Sequence, residues 1–281
     1  MTDEAAISWR SSSRTDVGMV REINEDACLD RPDVGLWVVA DGMGGHTAGD
    51  VASGMICESL NEVPPGAELP EFIEEVERRL VEVNAQLREM ASTRETQTVG
   101  STVAALVAHD RHAVCVWAGD SRVYRCRAGQ IVQVTQDHAL VEELVEKGVL
   151  TRAQAASHPQ GNLVTRAVGA TDNLKLDMEI VELQPGDVFV LCSDGLDKEL
   201  DPDEILEVVE RDNDRPLSDM LVDLALSRGS RDNVTVVTVH IGNGAVELPA
   251  GPDSQDEPEQ HDEIDSDTTI PRMPAGNRSS D

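Results

Sequence analysis

Three apolar runs in this chain drive straight into an aspartate. "LWVVAD" ends on Asp41, "HAVCVWAGD" on Asp120 and "FVLCSD" on Asp194. Two more carboxylate sites precede apolar runs: Asp232 in "RDNVTVV", and Glu25 with Asp26 in "NEDACL". Runs of this length, bounded by Gly, Asp and Ser, predict short buried strands. A single Asp at a strand end is an ordinary turn residue. Five such sites constrain the fold much more. If the strands are layered, their ends converge, and the acids repel one another unless a cation sits among them. Hard oxygen donors with water suit magnesium or manganese. Zinc is disfavoured, because no His or Cys stands at ligand spacing with these acids. Glycine after Asp41, in "VVADGMGG", lets backbone approach an ion closely.

The remaining pattern predicts α+β architecture rather than βαβ alternation. Apolar residues 51, 52, 55, 56 and 60 predict a helix over 49–63, and Phe72, Val76, Leu80, Val83 and Leu87 a second over 69–91. Strands are expected at 101–109, 112–120, 122–126, 130–135, 186–195 and 233–241, and helices at 202–211 and 217–229. From residue 243 the chain turns to Pro, Gly, Ser and acid, a composition that predicts a disordered tail. The expected division is therefore a folded unit at 1–242 and an acidic tail at 243–281.

Charge excludes some functions. The formal net charge is −31; the tail holds ten acidic and two basic residues, which leaves −23 on residues 1–242. Such a surface gains nothing from counterion release, so nucleic acid is not an expected partner. Lys147, Lys175 and Lys198 are the only lysines. A saline habitat and a GC-rich genome both account for that balance. No apolar run is long enough to span a membrane, and the N-terminus lacks the pattern of a secretory signal. The five cysteines (28, 57, 115, 126 and 192) include no CxxC pair and read as structural thiols in a reducing cytosol. A cytoplasmic protein is expected. A calcium-binding protein of EF-hand type is disfavoured, since the loop spacing is absent.

In chain order, "REINED", "VVADGMGG", "GSTV", "WAGDSRVY", "QDHALVEELVEKGVLT", "VTRAVG", "LCSDGL" and "RDNVTVV" resemble the motifs of metal-dependent protein phosphatases of the 2C type. The likeness covers about residues 8 to 241 and is to the bacterial serine/threonine phosphatases, including a type VI secretion-associated branch. It implies a four-layer α-β-β-α sandwich of two antiparallel sheets flanked by helix pairs. A flap at about 137–170 is implied, lying beside the metal centre.

The resemblance implies two manganese or magnesium ions per subunit and a metal-bridged hydroxide that hydrolyses phosphoserine and phosphothreonine on proteins. Carried over by position, Asp41 bridges both ions and Gly42 binds one through its carbonyl. Asp194 and Asp232 complete the first ion, and Glu25 serves the second. Asp26 supports the ligands, Arg21 grips the substrate phosphate, and Asp120 with Asp194 forms a third-metal site. The implied partners are phosphorylated proteins and a cognate serine/threonine kinase, in signalling or secretion control, with the enzyme a monomer.

Two departures stand out. Met43 replaces the histidine that follows the Asp-Gly pair in eukaryotic relatives, and His46 nearby is expected to be solvated. Lys198 stands where the family often has an acid or amide, which bears against a tightly held third ion. His158, on the flap, is a candidate contact to the phosphopeptide. The competing reading is a catalytically weak scaffold that binds phosphoproteins.

Overall fold

The protein is described here from a computed structural model, over residues 6–44, 48–66, 68–93, 99–155, 158–161, 163–211 and 214–244. Its strands are β1 (Ile7–Asp16), β2 (Asp26–Arg31), β3 (Leu36–Met43), β4 (Gly100–Ser101), β5 (Val103–His109), β6 (His112–Ala118), β7 (Arg122–Arg127), β8 (Gln130–Gln133), β9 (Asp177–Glu182), β10 (Val188–Cys192) and β11 (Val234–Asn243). The helices are α1 (Gly49–Asn61), α2 (Leu69–Thr93), α3 (Leu140–Glu146), α4 (Arg152–Ala155), α5 (Asp194–Asp197), α6 (Pro202–Val209) and α7 (Leu217–Ser227).

Strands β1-β11-β10-β7-β8 form one sheet and β2-β3-β5-β6-β9 the other, with β4 attached to β3. All their pairings are antiparallel. Side chains alternate faces along a strand, so each sheet offers two sets of residues. On β3, Leu36, Val38 and Ala40 pack with Ile56 and Leu60 of α1 and Phe72 and Leu80 of α2. Trp37 and Val39 face the other way and meet Phe189, Leu191, Val237 and Val239 of the opposite sheet. That sheet turns Val190, Cys192 and Val236 outward onto Ile205 of α6 and Leu221 of α7. Three apolar layers therefore separate four layers of secondary structure, the α-β-β-α sandwich that the resemblance implied. Fully buried side chains such as Trp37, Leu106 and Phe189 each contribute about 1.5–3 kcal/mol by leaving water.

Helix ends are held by specific groups. Arg79 on α2 donates to the carbonyls of Ser59 and Glu62 at the end of α1, at 2.7 and 3.1 Å. Asp201 and Glu204 close a capping box over α6, with Pro202 in its first turn.

Two strands, β1 and β9, escaped the sequence pattern, whereas the run expected after Asp26 forms β2. β1 carries hydroxyls and charge where a half-buried strand usually shows alternation. It is held by its pairing with β11 and by hydroxyl contacts, Ser12 to Thr238 at 2.8 Å and Thr15 to Thr235 at 2.7 Å. β9 is short and mixed in polarity. Three expected strands end early, β8 at Gln133 among them. β6 stops at Ala118, because Gly119 adopts φ +122°. β10 stops at Cys192, and Asp194 opens α5 instead. The flap contains α3 and α4, anchored by Leu140 N–H to Leu163 O (2.9 Å) and Thr165 N–H to His138 O (2.7 Å).

All five cysteines are free and four are buried. Burial pushes the Cys28 thiol up to about 11 and Cys115 and Cys126 up to about 12, which suits inert structural thiols. Among the described residues, no helix is long and apolar enough to cross a membrane. Residues 245–281, most of the expected tail, lie outside the described residues, as does His46.

Candidate active site

The strand registers bring the acids to one end of the sandwich. Asp26 opposes Asp41 across β2 and β3, and by alternation both belong to the face that looks toward the other sheet. In that other sheet Cys192 pairs with both Val236 and Arg122, so the ends carrying Asp194, Asp232 and Asp120 lie side by side. Thr102 ties the two sheets at this point. Its hydroxyl accepts from Asp41 N–H (3.1 Å) and pairs with Ser121 Oγ (2.6 Å), next to Asp120.

Glycine makes the approach possible. Gly42 N–H donates to Glu25 O at 3.0 Å, while Ser53 Oγ of α1 donates to the same carbonyl at 2.6 Å. A side chain at Gly42 would overlap the Gly49 carbonyl oxygen, so three backbone segments meet here without side-chain bulk. Asn233 completes the loop before β2. It accepts from Glu25 N–H (2.8 Å) and donates to Val17 O and Ile23 O (2.9 and 3.1 Å).

Two cations touch the acids. Arg21, half exposed, pairs with Asp232 at 2.8 Å. Lys198 reaches Asp194 at 2.5 Å and Asp232 at 3.2 Å. Burial opposes ionisation of Asp232, but Lys198 and Arg21 outweigh it and hold its carboxyl below the usual range. Asp41, Asp120, Glu25 and Asp26 shift the other way. Burial first, and then Asp26, Asp194, Asp120 and Asp232, hold Asp41 well above the usual carboxylate range. Burial pushes Asp120 up to about 6, with Asp194 adding to it. Burial likewise raises Glu25, against the pull of Arg21. Asp26 is pushed up to about 7 by burial, although Ser193 Oγ (2.7 Å) and Thr235 Oγ1 (2.8 Å) both donate to it.

These shifts predict an unusual pH dependence. Folded values above the unfolded 3.8 mean that the native state holds protons the unfolded chain has lost. That stabilisation is complete below pH 3.8 and disappears as pH rises through the folded values. Chelator-treated protein is expected to lose stability by about 1 kcal/mol per pH unit for each such proton as pH rises from about 4 towards the folded values of about 6 and 7. Asp26→Asn should flatten that slope in denaturant titrations; an unchanged slope would refute the assignment to Asp26.

Residues that the sequence reading passed over hold the site together. His138, buried and stacked on Trp117, accepts from Gly119 N–H at 3.1 Å and faces Asp177 with Nε2 at 3.0 Å. It thereby fixes the turn bearing Asp120. Arg122 binds Asp137 (2.7 Å) and Asp197 (3.0 Å), and the other oxygen of Asp197 is buried without a partner. Asp120, Asp194, Asp197 and Lys198 face the flap's Glu142 and Arg152 across a cavity of about 360 Å³. His158 is not among the described residues lining it; its Nδ1 accepts from Gln160 N–H at 3.2 Å.

The donor set fits divalent cations of the magnesium or manganese kind. It consists of carboxylates and a carbonyl that no side chain screens. Among the described residues, no three His, Cys, Asp or Glu close on one point. Ions that keep several waters and take only one or two carboxylates each do not need such closure.

An acid-lined edge between two such sheets suits the class of hydrolases that work with divalent ions on phosphorylated substrates. The protein phosphatase 2C family matches residues 19–232. The chain is 34% identical over 237 residues to the serine/threonine phosphatase Stp of Listeria monocytogenes, covering 80% of this chain and 93% of that one. It resembles the solved structure of PppA, a regulatory component of T6SS in Pseudomonas aeruginosa, with TM-score 0.77 and 42% identity over 83% of this chain and 98% of that one. The catalytic domain of PstP in complex with two manganese ions matches with TM-score 0.73 and 32% identity, over 84% and 100% of the two chains. The chain belongs to the protein phosphatase 2C family, whose members are metal-dependent serine/threonine protein phosphatases. The scaffold reading gains no support from relatives that carry phosphatase names.

Proposed function

We propose that residues 1–242 form a catalytic unit that hydrolyses phosphoserine and phosphothreonine on proteins at the acid edge around Asp41, reversing a serine/threonine kinase. The observation that carries this reading is the meeting of acids from both sheets beside one half-exposed guanidinium. Asp41 and the Gly42 carbonyl would hold a pair of ions, with Glu25 serving one and Asp194 and Asp232 the other. Asp120 and Asp194 flank a place for further positive charge. Manganese and magnesium both suit these donors, and the two-manganese complex of PstP favours manganese. Bound ions of this kind activate water as a nucleophile and neutralise the phosphoryl group.

The protein's own residues do the rest. Arg21 can turn from Asp232 to the phosphoryl oxygens, where its planar donors match a phosphate well. Asp26, hydrogen bonded by Ser193 and Thr235, stands behind Asp41 and keeps its strand end in place. Met43 has no proton to give the leaving group. The flap supplies Arg152 and Glu142 near the acids, and His158 farther along the same segment, for contacts to substrate. An acidic enzyme and an anionic phosphoprotein have no long-range attraction, so recognition is short-range. Likeness to PppA supports a place in secretion control. We place the enzyme in the cytoplasm as a monomer with an acidic tail.

The test is phosphate release from a phosphothreonine peptide after chelation and readdition of manganese, magnesium or calcium. Activity should vanish with chelator and return with manganese or magnesium. Absence of turnover with every metal, while manganese remains bound, would overturn the reading.

A further inference from the structure

Exposed apolar side chains scattered singly are normal on a protein surface, whereas a cluster of them marks a place of contact. Nine large ones are exposed among the described residues, and three fall within five positions: Met19 (66% exposed), Val20 (57%) and Ile23 (44%). All three belong to the loop between β1 and β2, where Arg21 and Glu22 are exposed as well. Both ends of the loop are pinned. Asn233 donates to Val17 O and Ile23 O, Met19 N–H donates to Ser230 O at 2.9 Å, and Gly18 N–H donates to Asp16 Oδ1 at 3.0 Å. Gly18 has φ +76°, and a side chain there would overlap the Asp232 carbonyl oxygen. The loop is thus seated on the segment that carries Asp232, and its backbone bonds hold three apolar groups out in water. Apolar groups left in water add nothing to folding.

We propose that Met19, Val20 and Ile23 form a docking ridge for one apolar residue of the phosphopeptide, within three positions of the phosphorylated serine or threonine. This rests on the reading of Arg21 as the group that grips the phosphate. The ridge is continuous with that contact. Met19 and Ile23 stand two residues to either side of Arg21, so their Cα atoms lie within about 7.6 Å of its own. About two extended peptide residues span that distance. A substrate whose phosphate meets Arg21 therefore brings its neighbouring residues within reach of the ridge. Charge points the same way. A chain of net charge −31 has no long-range attraction for a phosphopeptide, and apolar contact supplies affinity without it.

Hydrolysis of phosphothreonine peptides with manganese tests this. A single leucine is moved through the three positions on either side of the phosphothreonine in a serine-rich peptide. The small ester p-nitrophenyl phosphate serves as a substrate with no peptide chain. Wild type should show a KM lowered by about 10-fold for leucine at one or two positions, with kcat unchanged. Met19→Ser/Val20→Ser should lose most of that preference and Ile23→Ser part of it. Turnover of p-nitrophenyl phosphate should stay at the wild-type level in both, which also shows that they fold. If the double variant does not fold, Ile23→Ser decides alone. Absence of any leucine preference in wild type, or its survival in the variants, would overturn the ridge. So would a dimeric wild type that becomes monomeric in Met19→Ser/Val20→Ser with the preference intact, because a second copy would then cover these residues. If p-nitrophenyl phosphate and every peptide go unhydrolysed, the reading of the site fails and the ridge fails with it.

Discussion

Asp41→Asn is expected to lower phosphate release from a phosphothreonine peptide by about 1,000-fold or more, the scale on which charge-stabilising groups act in such sites. Asn keeps the size and the backbone bonds to Thr102, so the strand end should stay where it is. What disappears is the negative charge that the proposed pair of ions would share. The same change should make metal-free protein more stable, since Asp41 is ionised only against burial and four neighbouring carboxylates. The two expectations run in opposite directions, activity down and metal-free melting temperature up. A variant that loses activity because it is misfolded would lose both. Full activity in Asp41→Asn would remove the central residue of the proposed site.

Gly42→Ala is expected to be nearly as damaging, by a purely steric route. The added Cβ would overlap the Gly49 carbonyl oxygen and come within 2.5 Å of the Glu25 carbonyl oxygen. Both obstacles are backbone, so no rotamer change relieves them. Gly49 begins α1, which is anchored in the core through Ala52, Ile56 and Leu60. The strand end must therefore shift, and with it Asp41 and the Gly42 carbonyl. Overpacking of this kind costs about 1–3 kcal/mol, and displacement of the site by about 1 Å costs roughly 100-fold in rate. Gly54→Ala is the control. Its Cβ meets open space on the same helix, so helix propensity predicts a gain of up to about 1 kcal/mol. Equal effects at the two glycines would show that crowding at Gly42 is not the cause.

Some of this was open to a reader of the sequence. An apolar run that meets Asp-Gly is a local signal, and it located Asp41 and Asp194 before any coordinates. Helix periodicity placed α1 and α2 to within two residues at either end. β1 was invisible, because its stability lies in the partner strand: Ser12 and Thr15 signify nothing until Thr238 and Thr235 stand opposite them. His138 was equally silent. A histidine next to an aspartate has many meanings, and only the fold sets it under the Gly119 turn.

The sequence by itself determined which side chains end strands, how much acid the chain carries and, through eight ordered motifs, the family it resembles. These are properties of neighbours along the chain, where spacing and turn chemistry act directly. Only the tertiary structure decided which charges meet. Lys198 and Asp232 lie 34 residues apart, Arg21 and Asp232 far more, and their contacts exist because two sheets pack with their ends together. Electrostatic partnership depends on distance in space, and packing of the two sheets sets that distance.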